Sequence, residues 1–446
     1  MIDAEALPRS STSGSLKVIY TLAVPVMLEQ LGQIFLGTVD TYFAGQIGDT
    51  AISAIGVTNM FMTLFGGVFN ALGLGIVVMI SGALGASDIP KANRVLRQAI
   101  QLGIAVSMGI GLLNFFFGGA FLRAAGAEGE VLRIGQTYYM AVGVPCVFMC
   151  MIMMLANALK AAQNTRASMK AALIANVVNA LLDALFIHLG MGVWGLGMAT
   201  TLARVLNVCL LLRLFIRPVT PLKLDNTGWA RDVPLMKELI CYSGPIMLTQ
   251  LTARIAIVFH GSMILRLGDS FYTANSIIGQ IDNYACIPGE GFLTATATLV
   301  SNSLGADRPK DAAGYTKLAL IQAMSCITVI TVFLVVFAIP LAGIFTKTVE
   351  IQMLVKQVLM LLLFFNWTSP MAHVMTSAVQ GLGDSRYPFY ITLVGNGVRL
   401  AVGYLLAYAV GWKLLGIWCG IVLDFLLRGL LLSYHFVRYF SPKAKT

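Results

Sequence analysis

The chain has 446 residues, of which 58% are hydrophobic and only 11% charged, whereas a soluble domain carries about 25% charged residues. That composition excludes an ordinary water-soluble globule and describes an integral membrane protein. The formal charge of +10 does not make a nucleic-acid surface either, because the basic residues sit at the ends of apolar runs and form no single patch.

Apolar runs of about 20 residues or more, each enough to cross a hydrocarbon core of roughly 30 Å as a helix, recur along the whole length. They do not alternate apolar with polar residues, which excludes a β-barrel. The leading MIDAEALPRSSTSGSLK is polar, and the run after it is too long for a signal peptide and lacks a small-residue cleavage site, so none is expected.

In chain order, span 1 (18–45) carries Pro25, Glu29, Gln33 and Asp40, and span 2 (51–84) carries Met60 and Met62. Span 3 covers 93–118, and span 4 (131–159) contains the methionine-rich stretch Met149 to Met154. Span 5 (167–188) holds Asn179 and Asp183, and span 6 (193–215) holds Thr200 and Arg204. The polar connection RPVTPLKLDNTGWARDVP at 217–234 follows. Span 7 (236–266) carries Pro245, Arg254 and His260, and span 8 (271–304) carries Asp282 and Glu290. Spans 9 (312–345) and 10 (351–380) contain little charge, span 11 (387–410) has Arg399, and span 12 (416–438) has Asp424 and Arg428. Twenty of the 30 Lys and Arg residues fall in one set of alternate connections and six in the other. The positive-inside bias therefore places both termini in the cytoplasm of a cell-membrane protein.

The chain repeats itself at a constant offset of 220 residues: PVMLEQL at 25–31 returns as PIMLTQL at 245–251, and SGALGA at 81–86 as SNSLGA at 301–306. The fold class expected is therefore all-α integral membrane, with twelve transmembrane helices forming two pseudo-symmetric six-helix bundles. Residues 1–216 are the N-terminal bundle, 217–234 a cytoplasmic linker and 235–446 the C-terminal bundle. Six is even, so the halves enter the membrane with one orientation, as in transporters built from parallel repeats.

Charges inside spans are expensive and mark function or a buried pair. Spans 7–12 hold Arg254, Arg399 and Arg428 against Asp282, Glu290 and Asp424, and can neutralise themselves. Spans 1–6 hold Glu29, Asp40 and Asp183 against Arg204 alone. With Glu29 assigned to Arg204, Asp40 and Asp183 are left without a cation. At 1.5 Å per residue both lie roughly 8–12 Å below the outer surface. Asn179 precedes Asp183 by one turn and can donate its amide to either carboxyl. Such a pocket reads as a proton-binding switch that holds a cation when bare. Gln33, Asp40, Met60 and Met153 are the substrate-contact candidates, the methionines because their pliable side chains accept many shapes.

Enzyme signatures are absent: there is no GxxxxGK[ST], HExxH or CxxCH, and the four histidines lie far apart. No cofactor or metal is expected beyond a coupling ion, a proton or else Na+. The seven cysteines, scattered within apolar runs, read as small buried hydrophobes.

PVMLEQLGQIFLGTVDTYFAGQIG in span 1, NVVNALLDALFI in span 5 and GVWGLGMAT opening span 6 give the chain a resemblance, over essentially its whole length, to the MATE (multidrug and toxic compound extrusion) family, nearest its DinF-like branch. The resemblance implies a V-shaped pair of bundles and a cation-coupled multidrug efflux antiporter for cationic amphipathic compounds. It places the coupling residues at Asp40, Asn179, Asp183 and Thr200. Leu36 stands where archaeal relatives carry a tyrosine, which implies a smaller hydrogen-bond network. Spans 7 and 10 lack the carboxylates of the NorM-like branch, which disfavours sodium in the second half. The partners expected are organic cations and the lipid bilayer, with no nucleic acid and a monomer as the working state. A flippase for lipid-linked saccharides is disfavoured by the acidic excess, and a receptor or scaffold without transport is the reading from another class.

Overall fold

The computed structural model describes residues 12–216, 220–224 and 229–441, and among these it is helical throughout, with short turns. The first six spans appear as α1 (Thr12–Ile47), α2 (Asp49–Gly85), α3 (Ile89–Ala124), the pair α4 (Gly129–Val142) and α5 (Cys146–Ala161), α6 (Thr165–His188) and α7 (Gly192–Ile216). The second six are α8 (Val233–Leu265), α9 (Asp269–Ala285) with α10 (Ile287–Gly305), α11 (Pro309–Val336) with α12 (Ala338–Phe345), α13 (Val349–Phe365) with α14 (Thr368–Gly381), α15 (Arg386–Tyr404) ending in a π-helical turn (Leu405–Ala409), and α16 (Lys413–Phe440). Among the described residues nine helices are long and apolar enough to cross a membrane, and the bent pairs α4–α5 (46°) and α13–α14 (53°) raise the number to 11. The twelfth span is the broken helix α9–α10.

Proline chemistry explains where spans break. Pro145 precedes α5, Pro288 stands in the first turn of α10, and Pro340 and Pro370 stand in the first turns of α12 and α14. Each lacks the N–H that would continue the ladder and suits the start of a new helix. By contrast α1 and α8 run on through Pro25 and Pro245.

The repeat is visible in the joints. Gly48 and Gly268 take φ 146° and 121° where α1 turns into α2 and α8 into α9, and Ser87 and Asp307 take φ 58° and 53° in equivalent turns. Ser81 Oγ donates to Ala161 O at 3.3 Å, and Ser301 Oγ to Gly381 O at 2.9 Å, each across 80 residues. Asn164 and Asp384 both accept the backbone N–H three residues on, at 3.3 and 3.0 Å.

Contacts group the chain into two units: Leu28–Met247, and the described parts of Asp3–Met27 and Leu248–Thr446. The division thus runs through α1 and α8, two residues beyond Pro25 and Pro245, and not through 217–234 as the sequence suggests. The reason is packing. Val18, Ile19, Leu22 and Ala23 join a core with Phe292, Leu299 and Val374, while Leu235 and Leu239 join the core of α2, α3, α5 and α7. The described linker residues are fastened to α3. Asn93 Oδ1 accepts the Lys223 N–H at 2.9 Å, and Gln98 and Gln101 donate to the carbonyls of Ala230 and Trp229 at 2.8 and 2.7 Å.

Candidate functional site

The site lies in the first unit and is built from four helices. Asp40 comes from the C-terminal third of α1, Asn179 and Asp183 from α6, Thr200 and Arg204 from α7, and Tyr138 from the C-terminal half of α4. Glycine allows α4 and α7 to approach: a Cβ on Gly197 would stand 2.5 Å from the Ala141 Cβ. Because the helix breaks after Val142, its last carbonyls have no partner in the next turn. Thr201 Oγ1 donates to Ala141 O at 2.6 Å and Arg204 Nη1 to Val142 O at 3.2 Å, which locks α7 to the end of α4.

Asp183 and Asn179 are each 1% exposed. Asn179 Nδ2 donates to Asp183 Oδ2 at 2.9 Å, fixing that carboxyl. Asp40 is within side-chain hydrogen-bonding reach of Asp183 across α1 and α6. Among the described residues no donor satisfies Asp40 Oδ1 or Asp183 Oδ1, both buried. Two carboxyls can hydrogen-bond only through a proton between them, and two bare carboxylates at this separation repel. The arrangement therefore suits one shared proton.

The four coupling candidates come together, with Thr200 one step removed. Its hydroxyl donates to Leu196 O at 3.0 Å and lies within hydrogen-bonding reach of the Tyr138 phenol, which lies in the fields of Asp40, Asp183 and Arg204. Tyr138 adds, from α4, a phenol that the sequence alone did not place in the network. Nothing in span 4 marks Tyr138 apart from Tyr139 beside it, and only a polar side chain in an apolar run hinted at either. Of the substrate-contact candidates other than Asp40, Gln33 is exposed and without a hydrogen bond among the described residues, Met60 is 62% exposed, and Met153 packs against the α2–α3–α5 core.

Glu29 is not paired with Arg204. Lys160 Nζ donates to Glu29 Oε1 at 3.1 Å and Ser168 Oγ to Oε2 at 3.2 Å, in a nearly buried triad. Arg204 is the cation near Asp40 instead. Among Glu29, Asp40, Asp183, Lys160 and Arg204 the surplus is one negative charge, not two, and it resides in the Asp40–Asp183 pair. Replacing Glu29 by Gln is expected to lower stability by about 1.5–3 kcal/mol, the worth of a hydrogen bond to a charged group, while leaving the pH dependence of transport unchanged. Thermal unfolding in detergent beside a transport pH profile checks both halves of that statement.

A cavity of about 380 Å³ opens at the α1–α2 joint, lined by Ile47, Glu130, Arg133, Thr137, Val193 and Trp194. Ile47 lies two turns beyond Asp40 in α1, and Thr137 precedes Tyr138 in α4.

The sequence model of the MatE family matches residues 25–185 and again 245–405, two blocks related by the same 220-residue offset. The chain belongs to the MatE family. MatE relatives include "Uncharacterized transporter YisQ" of Bacillus subtilis, 22% identical over 93% of this chain and 92% of its own length. A "Probable multidrug resistance protein NorM" of Thermotoga maritima is 23% identical, covering 95% and 93%. Among solved structures, a MATE transporter in the straight conformation superposes with a TM-score of 0.90 at 20% identity, covering 97% of each chain. A MOP superfamily transporter from Pyrococcus furiosus, described by a binding pocket of reverse polarity, gives a TM-score of 0.89 at 20% identity over 97% of each chain. The MatE fold thus extends over essentially the whole chain, a multi-pass membrane transporter architecture.

Proposed function

We propose that this chain is an antiporter that exports cationic, amphipathic organic compounds from the cytoplasm in exchange for protons entering from outside. One observation carries the reading: Asp40 and Asp183 sit within reach of each other, each with a buried oxygen that no donor satisfies. A proton between them cancels the single negative surplus that the pair keeps beside Arg204. Its loss restores a charge that an organic cation can neutralise, so proton and substrate compete. Asn179 holds Asp183 in place, Arg204 limits the surplus to one, and Thr200 and Tyr138 complete the polar lining. The cavity beside Thr137 offers the proton its way in, and Gln33, Met60 and Met153 are the proposed substrate contacts. The drug class is supported by the names of the relatives, several of which are described as multidrug resistance proteins.

A gradient of one pH unit supplies about 1.4 kcal/mol per proton, and 100 mV adds about 2.3 kcal/mol per charge. The test is the full chain in liposomes. Saturable ethidium movement driven by an imposed pH gradient, and inhibited by protons on the substrate side, supports the reading. Binding without gradient-driven movement would remove it in favour of a scaffold.

A further inference from the structure

The 220-residue offset carries the acidic site onto a second polar cluster, buried in the unit that contains α9 to α16, with its charges inverted. Asp40 maps to His260, Asn179 to Arg399, Asp183 to Gly403 and Arg204 to Asp424. Where two carboxyls outnumber one arginine in the first unit, Arg399 and Arg428 outnumber Asp424 in the second.

The connections are specific. Arg428 is committed to Asp424 through Nε and Nη2, and Nη2 also donates to Asn396 Oδ1 at 3.0 Å. Arg399 lies in the fields of Asp424 and Arg428. His260 lies in the field of Arg399 and meets the Trp418 ring edge-on with centroids 6.4 Å apart. Three buried N–H donors are left without an acceptor: Arg399 Nε, Asn396 Nδ2 and Trp418 Nε1. Asn396 and Trp418 are 6% and 7% exposed, and Asn396 and Arg399 share a face of α15 at i, i+3. Asn275, beside His260, has an oxygen, Oδ1, that is unpartnered among the described residues. Asn176, the repeat equivalent of Asn396, also has an unpartnered amide. Arg399 and Trp418 are therefore what distinguishes this cluster, since Asn179 and Met198 occupy their places in the other half.

We propose that Arg399, Asn396 and Trp418 form a binding site for one small monovalent anion of halide or carboxylate type. Buried donors without acceptors cost free energy until something that only accepts arrives. One negative charge cancels the surplus of Arg399, whereas a dianion would overshoot it and a cation would be repelled. Water fits less well, because its own two protons would find few acceptors there. A free ion and the carboxylate of a transported compound share this chemistry.

The test uses the purified full-length protein in detergent, with chloride, acetate or bulky gluconate at equal sodium and ionic strength. Chloride is expected to raise the unfolding temperature saturably relative to gluconate. A matching rise with acetate identifies a site that also takes carboxylates, and no rise with acetate identifies one for the free halide. Arg399→Gln is expected to weaken the apparent anion affinity at least tenfold, while Asp40→Asn keeps it, which separates this site from the proton site. Saturable quenching of intrinsic fluorescence by bromide, lost in Trp418→Phe, reads the same site if Arg399→Gln cannot be purified. A parent whose unfolding and fluorescence respond equally to all anions, or an anion response that survives Arg399→Gln or Trp418→Phe, overturns the proposal.

Discussion

Asp40→Asn is expected to abolish proton-driven export while leaving the protein folded. The amide keeps the size of the carboxyl and can donate to Asp183, so the local hydrogen bond survives. What disappears is the ability to exchange a proton for a cation. In the parent, acidifying the substrate side lowers the apparent affinity for an organic cation, because the shared proton occupies the one surplus charge. In the variant that dependence flattens, and the coupling, about 1–3 kcal/mol or roughly 5–150-fold in affinity for such linked sites, is erased. The check is gradient-driven dye movement in liposomes, beside equilibrium dye binding at two pH values. Undiminished exchange, or binding that still weakens on acidification, would take Asp40 out of the mechanism.

Arg428→Met is expected to produce the largest loss of stability of any single change considered. Asp424 is fully buried, and its two oxygens are both held by Arg428. Removing the guanidinium strands that carboxylate and frees Asn396 Oδ1 as well. Breaking one side of a buried pair costs about 3–5 kcal/mol, whereas removing both members is often close to neutral. The double variant Asp424→Asn with Arg428→Met should therefore regain most of the loss, a positive interaction in a double-mutant cycle. Unfolding temperatures of the four proteins decide it, and a single variant as stable as the parent would show that Arg399 already neutralises Asp424.

Much of this was legible in the residues because charge inside a membrane span is rare. Asp40, Asn179 and Asp183 stood out from their neighbours, and their helices do bring them together. The partner of Glu29 was misread for a local reason: α5 runs to Ala161, beyond the 159 at which the apolar pattern ends, so Lys160 looked like a loop residue when it belongs to the buried face. Once Lys160 takes Glu29, Arg204 is left for Asp40. The second half does not neutralise itself evenly either, since Arg254 is exposed, Arg399 Nε has no partner, and Asp282 accepts from the Cys286 thiol. Tyr138 was hidden because a tyrosine in an apolar run can face lipid, core or site, and tertiary packing decides which. The allocation of α1 and α8 between units was equally invisible, as local periodicity reports that a face is buried and not against what.

The paired serine bonds, Ser81 to Ala161 and Ser301 to Gly381, have a consequence for engineering. Duplication kept the joinery of the frame while the electrical character of its contents was free to reverse, so the frame itself is indifferent to polarity. At Gly403, the counterpart of Asp183, an added Cβ meets nothing closer than 3.5 Å. The first atom of a side chain can therefore be restored at the counterpart of Asp183 without moving the helices around it.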